Sequence, residues 1–63
     1  MNYSLAIKAL RKKLLITQEE LASKLGVAFI SVNRWENGHC EPTMKVKRKL
    51  HSLFIKNGIE LGE

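Results

Sequence analysis

Apolar residues at Tyr3, Ile7, Leu10 and Leu14 recur at intervals of four, three and four, the stripe of a helix with one buried face. Lys8, Arg11 and Lys12 lie off that stripe, so a helix is predicted from Ser4 to Lys13. Thr17 stands three residues before Glu20, a spacing that lets hydroxyl and carboxylate satisfy each other's backbone amides. Leu21, Ala22 and Leu25 follow as an apolar face, and Gly26 supplies the left-handed residue that commonly ends a helix. A second helix is therefore expected over Gln18 to Leu25, followed by a sharp turn.

A third short helix fits Ala28 to Asn37, closed by Asn37-Gly38. At 100° per residue Ala28, Val32 and Trp35 fall within about 60° of one another, while Phe29, Ile30, Asn33 and Arg34 spread over the other side. Pro42 and Thr43 open a fourth helix with Val46, Leu50, Leu53 and Phe54 inward, Lys45, Lys47, Arg48 and Lys49 mostly outward, and an end near Asn57-Gly58. Ile59 to Glu63 leave open a frayed turn, a short fifth helix or a strand pairing with another subunit. The expected fold class is all-α, a compact bundle of four short helices with room for a fifth.

Breakers cut this chain but no linker or repeat divides it, and 63 residues accommodate a single domain, residues 1–63. A domain this small is marginal alone, so a partner copy would help it. The formal net charge is +5, which favours a polyanion, nucleic acid ahead of an anionic membrane. No apolar run approaches the roughly 18 residues of a membrane span. Met1 to Ser4 are unlike the start of a signal peptide, and one cysteine, Cys40, cannot close an intrachain disulfide; a cytoplasmic location is expected. His39, Cys40 and His51 do not supply four ligands at zinc spacing, so neither metal nor cofactor is expected. With no nucleophile beside a base and orienting group, and no glycine-rich phosphate loop, an enzyme is not expected.

Two short helices joined by a glycine turn, the second apolar on one face, describe a helix-turn-helix at about residues 17–37, whose second helix enters the major groove. The blocks Thr17-Gln18-Glu19-Glu20-Leu21-Ala22, Leu25-Gly26-Val27, Trp35-Glu36-Asn37-Gly38 and Pro42-Thr43 resemble the phage-repressor and Cro-like helix-turn-helix family of DNA-binding regulators, over about Leu5 to Leu50. The resemblance implies a lambda-repressor-like domain and a transcriptional regulator of duplex DNA, most simply a repressor, pairing as a homodimer at least on DNA. It implies that Gln18 touches the DNA backbone and braces the reading helix, that Asn37 and Gly38 offer amides to phosphate, and that Arg11 and Glu36 form a partly buried salt bridge. If that pair is buried, removing Glu36 alone is expected to cost about 3–5 kcal/mol.

His39 stands where relatives often have lysine, and Phe29 and Ile30 where they often have polar residues. Bidentate adenine readout is thus unavailable at those two positions. Phe29 and Ile30 can instead pack on thymine methyl groups, leaving Asn33 free for a base edge and Arg34 for guanine or phosphate. With Ala28 at its start, the reading helix and its flanks supply the candidate DNA-binding set: Gln18, Ala28, Phe29, Ile30, Asn33, Arg34, Asn37, Gly38 and His39. The apolar surplus Phe54, Ile55, Ile59 and Leu61 is the candidate dimer seam. The alternative reading is a protein-interaction module, such as the DNA-binding antitoxin of a toxin–antitoxin pair, with a protein partner on Phe29 and Ile30 or on the C-terminal segment.

Overall fold

Among residues 3–59, which the computed structural model describes, the chain forms α1 (Tyr3–Leu14), α2 (Gln18–Leu25), α3 (Phe29–Glu36) and α4 (Met44–Lys56), with no strand. α3 packs on α1 and α2, and α4 closes the opposite side against the same two helices. The most deeply buried side chains, Ile7, Leu10, Leu21, Leu25, Val32, Leu50 and Phe54, come from all four helices. Each helix therefore depends on the other three to remove its apolar stripe from water, as helices of 8 to 13 residues are marginal alone.

The ends are set by local chemistry. Thr17 Oγ1 accepts from the Glu20 amide at 3.1 Å while Glu20 Oε1 accepts from the Thr17 amide at 2.8 Å, completing the reciprocal cap. Gly26 sits at φ +72°, and the Val27 amide reaches back to the Ala22 carbonyl at 3.0 Å. That closing bond aims α3 away from α2 and seats Val27 against the core. α1 ends in the same manner but with Leu15, at φ +57°, where an L side chain is strained. The Ile16 amide then bonds the Arg11 carbonyl at 3.1 Å.

Ala28 departs from its expected inward place. It precedes α3 in an extended conformation, φ −74° and ψ 149°, so the 100° wheel does not describe its Cβ, and it is exposed. The candidate dimer seam also divides. Phe54 is 1% exposed and belongs to the core, Ile59 packs partly against that core, and Ile55 is 80% exposed; Leu61 and the rest of the expected final turn, helix or strand lie outside the described residues. Tyr3 OH lies 2.9 Å from His51 Nε2, fastening the start of α1 to α4.

The two left-handed residues yield opposite expectations. Leu15→Gly relieves strain at a side chain 89% exposed and should raise stability by about 0.5–1 kcal/mol. Gly26→Ala, whose new Cβ meets Lys49 Nζ at an ordinary 3.8 Å, should lower it by about 1–2 kcal/mol through backbone strain alone. Urea unfolding of both variants checks the pair; the same sign for both would refute the conformational argument.

Candidate nucleic-acid interface

Glu36, the last residue of α3, is the one buried charged side chain among the described residues, at 5% exposure. Trp35 and Val32 turn that side of α3 inward, and the carboxylate is carried in with them. Such a group is tolerated only when fully bonded. Arg11 grips it with both ends of its guanidinium, Nε on Oε2 and Nη2 on Oε1 at 2.8 Å, while Arg11 Nη1 holds the Ile16 carbonyl at 3.3 Å. Ser4 Oγ donates to the Glu36 carbonyl at 2.6 Å. One residue of α3 is thus tied to two points on α1.

The same carboxylate continues outward as a chain of side-chain amides. Gln18 Nε2 donates to Glu36 Oε1 at 3.0 Å, Asn33 Nδ2 donates to Gln18 Oε1 at 3.2 Å, and Asn37 Nδ2 donates to Asn33 Oδ1 at 3.1 Å. Gln18 therefore links the first turn of α2 to both the middle and the end of α3. Asn33 is not free as the sequence suggested, because Gln18 and Asn37 hold both ends of its amide. One Nδ2 hydrogen and one Oδ1 lone pair remain for an outside partner.

Phe29 and Ile30 stand on the outer face of α3 at 46% and 55% exposure, with Arg34 exposed beside them. Before them, the amides of Gln18 and Glu19 open α2 and have no intrahelical acceptor, leaving donors at the positive end of the helix. Ala28, also exposed, gives α3 no side-chain cap. After α3 the expectation of available amides changes. The Asn37, Gly38 and His39 amides donate to the carbonyls of Asn33, Trp35 and Arg34 at 3.0–3.1 Å, closing the helix instead of standing free. The side chains of Asn37 and His39 are exposed, and no lysine or arginine occurs between Asn37 and Thr43.

Electrostatics follow the geometry. Burial pushes the Glu36 carboxyl upward, but hydrogen bonds from Arg11 and Gln18, with the charges of Arg11 and Lys8, outweigh it and hold the group below its ordinary value. The hydrogen bond with Glu36 holds Arg11 above its own. No group of three or more histidines, cysteines or carboxylates able to hold a metal occurs among the described residues. None of the described helices is long and apolar enough to cross a membrane.

Two short helices set around a glycine turn, the second presenting an exposed face held at fixed orientation by the first, define a helix-turn-helix domain. Residues 7–56 match the sequence profile of the Cro/C1-type helix-turn-helix family, and the chain belongs to that family of DNA-binding regulators. Comparison with curated proteins and with solved structures found no match.

The burial difference within the ion pair sets the order of two variants. Arg11 is 26% exposed against 5% for Glu36, so an orphaned Arg11 can turn to water while an orphaned Glu36 cannot. Arg11→Met should cost about 3–5 kcal/mol and Glu36→Gln, which keeps an acceptor for Gln18, about 1–3 kcal/mol. Denaturant unfolding of both reads the order. Because the folded carboxyl is held low, its stabilisation is fully present above the unfolded value of about 4.3. It is lost as pH falls from there through the folded value. Wild type should lose stability over that window more steeply than Glu36→Gln; parallel curves would remove Glu36 as the cause.

Proposed function

We propose that this chain recognises a specific duplex DNA sequence by laying α3 in the major groove, and that it acts as a transcriptional repressor by occluding a promoter. The observation that carries this reading is the exposed Phe29–Ile30 face on a helix whose orientation is fixed from behind by the Gln18–Asn33–Asn37 amides. Large apolar side chains displayed on a braced helix call for a partner, and thymine C5-methyl groups line the major groove at the depth such a helix reaches. Asn33 offers its remaining donor and acceptor to a base edge such as adenine, and Arg34 reaches guanine or phosphate.

The free amides opening α2 suit a backbone phosphate, which sets register without reading sequence. Gln18, with one of its amide hydrogens on Glu36, retains the other for the same strand. His39 flanks the second strand through its side chain, Asn37 steadies that corner by donating Nδ2 to the Asn33 carbonyl and Oδ1, and Gly38 lets the chain pass close by without a side chain. Ala28 lies at the leading end of α3, where a methyl group fits beside a base edge.

A single eight-residue helix reads few base pairs, so the chain is proposed to act as a homodimer on DNA, with half-sites about 34 Å apart on one face of the duplex. The proposed setting is cytoplasmic, and no catalytic step is proposed.

Selection of bound duplexes from a random pool at near-physiological salt tests the whole reading. The expected product is an A·T-containing inverted repeat with half-sites about 10 base pairs apart; no enrichment would leave only nonspecific attraction. On the selected duplex, Phe29→Ala and Ile30→Ala should each weaken binding about tenfold with stability changed by less than about 1 kcal/mol. Asn33→Ala should relax preference at one base pair. Equal losses of stability and affinity at Phe29 and Ile30 would assign these side chains to packing.

A further inference from the structure

Four of the cationic side chains of this protein gather between α2 and α4. Lys24, from the last turn of α2, and Arg48, Lys49 and Lys56 of α4 converge on one open groove of about 550 Å³, with Ser52 between them. Arg48, Ser52 and Lys56 are spaced i, i+4, i+8, which places them in one row along α4. Lys49 Nζ donates to the Leu25 carbonyl at 3.1 Å, capping α2 and setting one wall. Lys24, Arg48 and Lys56 have no carboxylate partner among the described residues, where Arg11 pairs with Glu36 and Lys47 with Glu41. Every side-chain polar group facing this groove is a hydrogen-bond donor except the two-way hydroxyl of Ser52.

The apolar part of the lining is Leu53, half-buried, whereas Leu25 is 1% exposed and contributes chiefly the backbone that Lys49 bonds. The groove also stands apart from the proposed reading surface. Gln18 bonds α3 at the start of α2, whereas Leu25 is bonded by α4 seven residues on, about 10 Å further along the axis at 1.5 Å per residue.

We propose that the α2–α4 groove is a docking site for an acidic peptide segment of a protein partner, one that sets aspartate or glutamate on either side of a leucine-like side chain. The carboxylates complete the unpaired Lys24, Arg48 and Lys56, while the central apolar residue covers Leu53. A phosphate chain satisfies the cations equally well but sets charged oxygens against Leu53, where their hydration is lost without a bond in return. The combination of unpaired cations and an apolar Leu53 therefore favours carboxylates on an amphipathic segment over nucleic acid. Charge complementarity across such a rim speeds encounter, and the buried apolar contact slows release. This inference does not depend on α3 reading DNA.

Selection of displayed random peptides on the full chain, run in parallel on a Lys24→Glu/Lys56→Glu variant, tests it. Both lysines are exposed and outside the core, and an unchanged melting temperature verifies the variant's fold. Enrichment of acidic sequences carrying leucine, isoleucine or phenylalanine is expected on the wild-type chain. A synthetic copy should bind the variant about tenfold more weakly, and its leucine-to-serine version should bind wild type about threefold more weakly. The amide resonances of Lys24, Leu25, Ser52 and Lys56 should shift on binding. No enrichment, equal binding to both proteins, or equal affinity of the serine version would overturn the proposal. So would loss of nonspecific duplex binding in the variant matching its loss of peptide, which would make the groove part of a nucleic-acid footprint.

Discussion

One buried carboxylate organises this molecule. Glu36 is carried inward at the end of α3, and a charge removed from water there is stable only with its bonds complete. Arg11 of α1 and Gln18 of α2 complete them, so the need to solvate one atom group fixes where three helices stand relative to one another. Apolar packing alone tolerates small sliding of one helix on another. A forked guanidinium on a carboxylate does not, because both of its bonds are directional. The desolvation of Glu36 makes the pair a weak source of net stability and a strong source of registration.

That registration extends to the outer surface. The amide chain from Glu36 through Gln18 and Asn33 to Asn37 ends among the exposed side chains of α3, so the direction in which Phe29 and Ile30 project is coupled to the buried pair. A reading surface needs such stiffness, since a side chain that must be ordered on binding gives up part of the contact energy in lost rotamer freedom. The groove between α2 and α4 is built differently. There α4 carries long, exposed cations beside Leu53, and Lys49 is anchored to backbone. A braced α3 surface and an adaptable cationic groove can coexist in so small a domain because α2 joins both and each end of it is separately capped.

Much of the architecture was legible before any tertiary information. The Thr17–Glu20 cap and Gly26 bound α2 by local hydrogen bonds, and the stripes of α1 and α4 obey the 3.6-residue period. Ala28 escaped the wheel because the period holds only once backbone dihedrals are helical, and Ala28 is extended. Leu15 carried no turn signal at all; its left-handed conformation follows from the need to close α1 on the Arg11 carbonyl. Phe54 stands both on the inward stripe of α4 and in the candidate dimer seam; it fills the protomer's own core, as the stripe predicts, since the 3.6-residue period already turns it inward.

For the candidate site the division runs along the range of the forces involved. Residue types at fixed short spacing determined the helices, their caps, the outward set Phe29, Ile30 and Arg34 and the family, because these rest on interactions within a turn or two of chain. The assignment of Asn33 to Gln18 and the gathering of Lys24 with Arg48 and Lys56 were decided only by tertiary structure. Hydrogen bonds act over about 3 Å, and which donors and acceptors come that close across helices depends on how the apolar faces dock.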